Sequence, residues 1–492
     1  MAGVIDSVVG GRRADAGASV GAYLALAALN RVVAPTSKLQ FEHWWKTTAA
    51  DRFTRIPAVV LDHRRFWDAM HAITLEQLAE VEHRLAVAMI ETFNLDLSAL
   101  ALDMTNFATY IDTGNAKAPI AQRGKAKQKR ADLRLVGLGL VVTRDGGVPL
   151  VAHAYPGNRP DVTQFATMID LLRTRHSALA AQGDTSTPDQ MTVVFDAGQN
   201  SVANFEHLSD TGLAFVGSIP PSQVADLLTL PATNRRSVDA NRFGALSALE
   251  TRRTVYGTNR RVILTHSPTL HTAQQVGFDQ TLAKALKALN ELADTLARGK
   301  TRRPASKVND QIAAITADPW LRRVLHCELT GATPAEHRLT VAVDEKARDA
   351  LEAEVFGKRT LITNREQWPV AEVVAAYRSQ SEVEFSFRQL KDPHVVSFSP
   401  MHHWTEHNIR VHTFTCVLAL QIAHLMRRQA EQAGLHLSVR DPLDQLVGIE
   451  ETVLIYPSTG GRPKARRILT ETTETQDQLS EIFNLTKWAP HT

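Results

Sequence analysis

Three acidic residues occupy positions from which they could bind metal ions together. Asp103 lies near the end of an apolar segment, and Asp196 directly follows another one. Both segments are typical of β-strands. Glu384 lies in the stretch 377–391, which contains neither Gly nor Pro and therefore predicts a helix. Because Mg²⁺ takes oxygen ligands, carboxylates above all, these three residues could hold divalent cations.

The predicted helix carries more polar residues on the side of Glu384. At about 100° per residue, one stripe of the helix consists of Tyr377, Gln380, Glu384, Arg388 and Lys391. A carboxylate among a tyrosine, an arginine and a lysine indicates a site that holds a metal ion beside phosphate groups. A simpler interpretation is a surface helix in which Glu384 pairs with Arg388 at i,i+4. The helix taken alone favours this simpler interpretation.

Two of the three acidic residues, Asp103 and Glu384, have acidic neighbours that could replace them as metal ligands. Asp112 and Asp132 are alternatives to Asp103, but Asp103 is the one that follows an apolar run and precedes a threonine. Glu382 is the alternative to Glu384. Only Glu384 is followed by a lysine after six intervening residues, so we prefer Asp103 and Glu384.

The order Asp, Asp, Glu resembles the catalytic triad of ribonuclease-H-like transposases. The stretch around Glu384 is similar to the Tyr-x2-Arg-x3-Glu-x6-Lys signature of insertion-sequence transposases. Tyr377, Glu384 and Lys391 stand at the spacing of that signature, whereas Gln380 occupies the arginine position. Further landmarks in matching order are Asp103-x-Thr105, an Asp-Gly turn at 145–146, Pro156-Gly-Asn158, Asp196-x-Gly198 and His402-His-Trp404. The resemblance covers most of residues 95–220 and 350–425.

The resemblance implies an α/β fold with a ribonuclease-H-like catalytic core. Glu384 lies 188 positions after Asp196 (384 − 196), a separation too long for a single link in a minimal core, which predicts an insertion with β-strands. Helical regions are expected at both ends of the chain. The predicted division is 1–95 helical and expected to bind the DNA ends, 96–225 first part of the core, 226–350 insertion, 351–425 second part of the core with the Glu384 helix, and 426–492 helical.

The activity that the resemblance implies is metal-dependent cleavage of DNA at the ends of a bacterial insertion sequence, followed by strand transfer into target DNA. Asp103 would bridge two metal ions, and Asp196 and Glu384 would each hold one of them. The expected ion is Mg²⁺, with Mn²⁺ able to substitute. Two alternatives stay open: a catalytically inactive DNA-binding repressor derived from a transposase, and a metal-dependent nuclease without strand transfer.

The same resemblance assigns phosphate binding to the helix that carries Glu384. Tyr377 and Lys391 are expected to bind phosphates near the cleaved terminus, and Arg388, one turn after Glu384, to assist them. Gln380 in the arginine position is expected to weaken this phosphate contact. The expected partners are terminal inverted repeats, target DNA and a second copy of the chain, as a homodimer in the synaptic complex.

Composition limits the other possibilities. The 492 residues are 44% hydrophobic and 22% charged, as in a globular protein, and their net charge of +3 leaves nucleic-acid binding to local surfaces. The two cysteines are too few for a disulfide framework or a zinc site. With no signal peptide or membrane span evident in the sequence, we expect a cytoplasmic, nucleoid-associated bacterial protein without a membrane partner.

Several basic segments could contact DNA or could simply be solvated. They are Arg12, Arg13, Arg31 and Lys38, the loop 122–130, the cluster 300–307 and the segment 462–467. Trp320, in the predicted insertion, could stack on a displaced base, although its sequence context equally fits packing.

Overall fold

The computed structural model describes residues 1–492 except 12–16, 113, 126–131, 182–190, 301–302, 458–463 and 489–492. Arg12, Arg13 and parts of the three basic segments at 122–130, 300–307 and 462–467 therefore lie outside the described residues. The chain divides into two compact units. Unit 1 comprises Met1–Phe215 and Ala376–Thr492, and unit 2 comprises Val216–Ala375. The predicted insertion, 226–350, falls within the residues of unit 2.

The helices of the described residues are α1 (Ala2–Val9), α2 (Val20–Val33), α3 (Phe41–Trp45), α4 (Ala50–Thr54), α5 (His63–Ala72), α6 (Leu75–Phe93), α7 (Phe165–Ala181), α8 (Val202–Thr211), α9 (Ala225–Leu228), α10 (Ala240–Phe243), α11 (Pro268–Ala297), α12 (Ala305–Ile315), α13 (Pro319–Val324), α14 (Glu345–Val355), α15 (Val370–Arg378), α16 (Gln380–Lys391), α17 (Glu406–Gln432), α18 (Arg440–Val447) and α19 (Glu474–Ile482).

The strands are β1 (Leu100–Thr109), β2 (Arg134–Thr143), β3 (Pro149–Pro156), β4 (Thr192–Phe195), β5 (Ala214–Ile219), β6 (Arg236–Ser237), β7 (Ser247–Val255), β8 (Thr258–His266), β9 (Leu325–Thr330), β10 (Arg338–Val343), β11 (Lys358–Thr363), β12 (Glu451–Tyr456) and β13 (Lys464–Leu469).

Unit 1 contains strands in the order β3-β2-β1-β4, in which β1 is antiparallel to β2 and parallel to β4. The β2–β3 hairpin turns at Gly146 and Gly147, whose φ angles of 108° and 66° favour glycine, so the hairpin predicted from Asp145-Gly-Gly is confirmed. Helix α7 packs on one face of these strands, and α16 and α17 pack against the β1–β3 strands as well. This mixed α/β arrangement is that of a ribonuclease-H-like core.

Helix α17 is the buried centre of unit 1. It is long and apolar enough to cross a membrane, but 83% of its most apolar window is buried inside the protein, as is typical of a core helix. Helices α2, α5 and α6 of the amino-terminal region pack against it. Thr74 with Gln77 three residues later predicts a capping box, and the two residues form it at the start of α6. Of the tryptophans in this region, Trp45 is buried and Trp44 is half-buried, whereas Trp67 is 45% exposed.

Unit 2 is organised by the strands β5-β11-β8-β7-β6 and by the long helix α11. Runs of β-prone residues at 252–257, 261–266 and 337–343 predict strands, and these are confirmed as β7, β8 and β10. Trp320 packs against Phe278 and Phe356, with ring centroids 6.3 and 5.3 Å away. These contacts support a packing role for Trp320.

Three boundaries differ from those expected. Strand β1 continues six residues beyond Asp103, so Asp103 lies inside the strand and not near its end. The helix predicted over 377–391 is interrupted at Ser379, so Tyr377 belongs to α15 and Glu384 to α16. The carboxyl-terminal region, predicted to be helical, contains the hairpin β12–β13 between its helices. The extra length of β1 comes from its pairing with β2 along the whole of Leu100–Thr109, which short-range periodicity does not encode.

The buried His424 makes unit 1 sensitive to acid. Its Nδ1 is 2.8 Å from the Gly147 carbonyl oxygen, and burial, with a smaller contribution from the charge of Arg427, lowers the pKa of His424 to about 3. The folded state therefore binds fewer protons here than the unfolded chain does between pH 6.5 and 3. This one proton is expected to contribute about 1.4 kcal/mol per pH unit to the fall of the unfolding free energy with acidification through this window. Urea unfolding at a series of pH values measures the slope.

His424→Gln should flatten that slope, because the variant no longer has this proton to take up on unfolding. His436→Gln, which changes an exposed histidine of unit 1, serves as the matched control and should keep the wild-type slope. Equal slopes in wild type and His424→Gln would contradict the assignment of the acid sensitivity to this residue.

Candidate active site

The two predicted catalytic aspartates lie on neighbouring strands. In the parallel pairing of β1 with β4, Leu102 is opposite Phe195, and Asp103 and Asp196 are the next residues along the two segments. Adjacent strands are about 4.8 Å apart, so the two aspartates start from neighbouring backbone positions. Asp103 is half-buried, and Asp196 is exposed at the end of its strand. The Asp196 Oδ1 accepts a hydrogen bond of 2.8 Å from the Gly198 amide, which fixes the turn after β4.

Helix α16 lies over the face of β1 that carries Asp103. Side chains two residues apart in a strand share a face, so Asp103, Thr105 and Phe107 lie on the same side of β1. The Lys391 ammonium donates a hydrogen bond of 2.9 Å to the Thr105 Oγ1 and lies 5.5 Å from the centre of the Phe107 ring. The carboxyl-terminal end of α16 is thereby held on the Asp103 side of the sheet.

Gln380 fixes the other end of α16. Its Nε2 donates a hydrogen bond of 3.0 Å to the carbonyl oxygen of Leu102, the residue before Asp103. Glu384 lies four residues after Gln380 and seven before Lys391 in the sequence, so all three fall within about 40° of one another around the helix. Glu384 consequently lies on the same side of α16 as Gln380 and Lys391, which contact β1 on either side of Asp103.

The structure does not support two other interpretations of the helix, a Glu384–Arg388 ion pair and Glu382 as the metal ligand. No ion pair joins Glu384 to Arg388 within the part of the chain that the structure describes. The Arg388 guanidinium lies 5.6 Å from the Phe385 ring centre and is exposed. Glu382, the alternative to Glu384, forms an ion pair of 2.9 Å with Arg427 of α17, which directs it away from β1. Tyr377 is largely buried near the end of α15.

The alternatives to Asp103, Asp112 and Asp132, are exposed and lie outside β1. The Asp112 Oδ1 accepts a hydrogen bond of 2.6 Å from the Gly114 amide in an exposed turn. Asp132 is exposed just before β2. Neither residue lies in a strand next to Asp196, as Asp103 does.

The three carboxylates do not form a closed ligand set. Within the described ranges, no three histidine, cysteine, aspartate or glutamate side chains are grouped so that they could hold a metal ion. The donors are nevertheless hard oxygen ligands, and Asp103 and Asp196 start from adjacent positions. Mg²⁺ commonly takes only one or two protein carboxylates and completes its shell with water and substrate phosphate oxygens. The residues therefore fit a magnesium site that the substrate helps to complete.

Sequence reasoning missed the role of Gln380. We expected a residue that weakens phosphate binding, whereas Gln380 is buried and bonded to the backbone beside Asp103. Its Oε1 is buried without a hydrogen-bond partner in the described residues. Thr105 served only as a landmark of the sequence, and its contact with Lys391 could have been anticipated from the period of two along β1.

Comparison with known sequences identifies the family. The sequence profile described as Transposase DDE domain matches residues 95–422, which are 328 of the 492 residues (422 − 95 + 1). The chain belongs to this family of DDE transposases. As a DDE transposase it is an enzyme of DNA transposition that binds DNA, and DDE transposases generally use divalent metals. The matched residues include Asp103, Asp196 and Glu384.

Similarity to solved structures and to curated proteins is weak or absent. The chain is similar to a piggyBac transposase solved as a synaptic complex with hairpin DNA, at 7% sequence identity and a TM-score of 0.39, over 99% of this chain and 78% of that chain. A likeness of this size carries no argument about this DDE transposase. No curated protein is significantly similar to the chain.

A substitution at Gln380 tests whether this residue holds α16 in place. Gln380→Leu removes the hydrogen bond to Leu102 and leaves a buried carbonyl oxygen without it, which should lower the unfolding free energy by about 1 to 3 kcal/mol. Gln389→Leu makes the same change at a half-buried position of the same helix and should cost less than about 0.5 kcal/mol. Urea unfolding measures the unfolding free energy of both variants. Equal losses would show that Gln380 does not hold α16 in place.

Proposed function

We propose that this chain cleaves DNA at the ends of a bacterial insertion sequence and joins the freed 3′ ends to target DNA, with Asp103, Asp196 and Glu384 as metal ligands. The observation that carries the proposal is the attachment of α16 to β1 on both sides of Asp103, through Gln380 and Lys391. The metal ions are expected to be Mg²⁺, with Mn²⁺ able to substitute.

The donor types support a division of roles. Asp103 lies next to Asp196 in register and on the α16 side of β1, so it is the carboxylate best suited to bridge two ions, with Asp196 on one side and Glu384 on the other. When bound, two divalent cations would activate the attacking water or hydroxyl and stabilise the leaving oxygen of an in-line displacement. The three carboxylates themselves bind and orient, and no covalent intermediate with the protein is required.

Lys391 supplies positive charge beside the carboxylates. Its ammonium is held by Thr105, two residues from Asp103, where it can approach a phosphate as a point charge. Arg388 is exposed one turn after Glu384 and can reach a phosphate outside the sheet. Only 9% of the surface of Tyr377 is exposed. Tyr377 could therefore bind a phosphate only through its hydroxyl.

Synapsis of two element ends implies at least a dimer of the chain on DNA. We further propose that the amino-terminal helices, within 1–95, bind the terminal inverted repeats and that residues of the insertion, 226–350, contact DNA near the cleavage site. A DNA-binding enzyme of a bacterial insertion sequence would act in the cytoplasm, at the nucleoid.

The decisive experiment uses a labelled linear duplex that carries the DNA flanking this coding sequence. Purified full-length protein is incubated with it in Mg²⁺, in Mn²⁺ or in EDTA, and products are separated on a denaturing gel. Metal-dependent cuts at the element ends and a product joined to a second duplex are the expected result. Binding without cleavage in either metal would favour the inactive repressor, and cleavage without joined product would favour a nuclease.

A further inference from the structure

The hairpin β12–β13 is a basic two-stranded ribbon that the active site does not use. The 18 residues from Thr452 to Leu469 contain four basic residues and no acidic residue. The basic residues are Arg462, Lys464, Arg466 and Arg467. Arg462 lies outside the described residues. The sequence alone leaves the segment 462–467 open as either a DNA contact or a solvated loop, and the hairpin gives it a defined scaffold.

The register of the hairpin separates its two faces. Val453 pairs with Arg467 and Leu454 with Arg466, and paired residues of adjacent strands share a face. One face begins with Glu451, which accepts hydrogen bonds from Arg52 of α4 and from Arg467. These ion pairs attach the base of the hairpin to the amino-terminal region. The charge of Arg467 is neutralised by Glu451.

The opposite face, which we call the open face, has no acidic residue. Its described members are Thr452, Leu454, Tyr456, Arg466 and Ile468. Leu454 is 40% exposed and Tyr456 is 46% exposed, and Arg466 is exposed as well. Lys464 stands two residues before Arg466 in the same strand. Exposed apolar and aromatic groups next to positive charge are the composition of a surface that binds a partner.

We infer that the open face of this ribbon docks into a groove of duplex DNA, an inference that rests on the proposed function. The major groove of DNA is wide enough to admit a two-stranded β-ribbon. Arg466 would approach a phosphate, and Tyr456 and Leu454 would lie against the sugar and base edges. The exclusively positive charge of the segment complements the DNA backbone.

A second copy of the chain is the less suitable occupant of the open face. A twofold pairing of this face with itself would bring the Arg466 residues of both copies towards each other, and no carboxylate of the face could compensate them. The nearest carboxylate of the ribbon, Glu451, lies on the other face and is already bound by two arginines. The charge of the open face therefore favours DNA over a second copy of the chain as its partner.

Salt-dependent binding tests the inference. The full-length wild type, Arg466→Gln and Tyr456→Ser are titrated with a short labelled duplex over a series of KCl concentrations. Arg466→Gln should weaken binding and reduce the slope of log K against log salt by about 0.9, the value for one lost phosphate contact. Tyr456→Ser should weaken binding without changing the slope. Arg173→Gln, at an exposed arginine of α7, is the matched control and should retain the wild-type affinity and slope.

Each other outcome overturns the inference in a recognisable way. Wild-type slope and affinity in Arg466→Gln and Tyr456→Ser, with cleavage intact, would remove the ribbon from the DNA contact and leave the proposed function standing. Absence of duplex binding by the wild type would overturn both. A change from dimer to monomer in Arg466→Gln or Tyr456→Ser by sedimentation, with an unchanged salt slope, would make the open face a contact between copies.

Discussion

Glu384→Gln is expected to lower the rate of metal-dependent DNA cleavage by at least about 10³-fold while DNA binding is retained. The substitution keeps the size of the side chain but removes the negative charge that a divalent cation requires. Glu384 is exposed, so the loss should not come from unfolding. Single-turnover cleavage of the labelled end duplex measures the rate, and gel shift of the same duplex measures binding.

Glu382→Gln is the matched control, because it makes the same change two residues earlier on the same helix. Glu382 pairs with Arg427 and faces α17, so cleavage should stay within a few-fold of the wild type even if stability falls. The reverse result, with Glu382→Gln inactive and Glu384→Gln active, would move the third carboxylate to Glu382. It would also show that α16 turns its other face to β1 when DNA binds.

Arg428→Met is expected to lower the unfolding free energy by about 3 kcal/mol. The Arg428 guanidinium bonds to the Asp145 carboxylate at 2.6 and 2.7 Å and to the carbonyl oxygens of Phe93 and Asn94. It therefore joins α17 to the turn of the β2–β3 hairpin and to the end of α6. Removal leaves two carbonyl oxygens without the guanidinium and leaves the carboxylate with the Asp96 amide at 3.3 Å. The value is taken at the lower end because Asp145 is 26% exposed.

Thermal unfolding followed by circular dichroism checks this expectation. Arg84→Met, which breaks the exposed pair of Arg84 with Glu80 on α6, should cost less than about 1 kcal/mol. A midpoint for Arg428→Met as high as that of Arg84→Met would mean that water replaces the guanidinium without loss, and the network would then contribute nothing to stability.

Local chemistry explains what could be predicted from the sequence. The Asp145-Gly-Gly turn, the Thr74 capping box and the strands β7, β8 and β10 follow from residues a few positions apart, whose local backbone preferences agree with the fold. The spacing around Glu384 and the order of Asp103 and Asp196 indicate the family on their own, and the sequence profile confirms it. The roles of the individual site residues stay predictions.

Contacts between distant residues were beyond the sequence. Gln380 and Leu102 are 278 positions apart, so nothing near Gln380 revealed that it bonds to the strand carrying Asp103. The physical reason to prefer Glu384 over Glu382 is the bond of Glu382 to Arg427. These two residues are 45 positions apart, so nothing in the sequence indicated this bond. Residue type and spacing are local properties, so the residues that could bind a metal and phosphates can be recognised from the sequence. Which of these residues face one another depends on how helices and strands far apart in the chain pack together, and this is visible only in the folded protein.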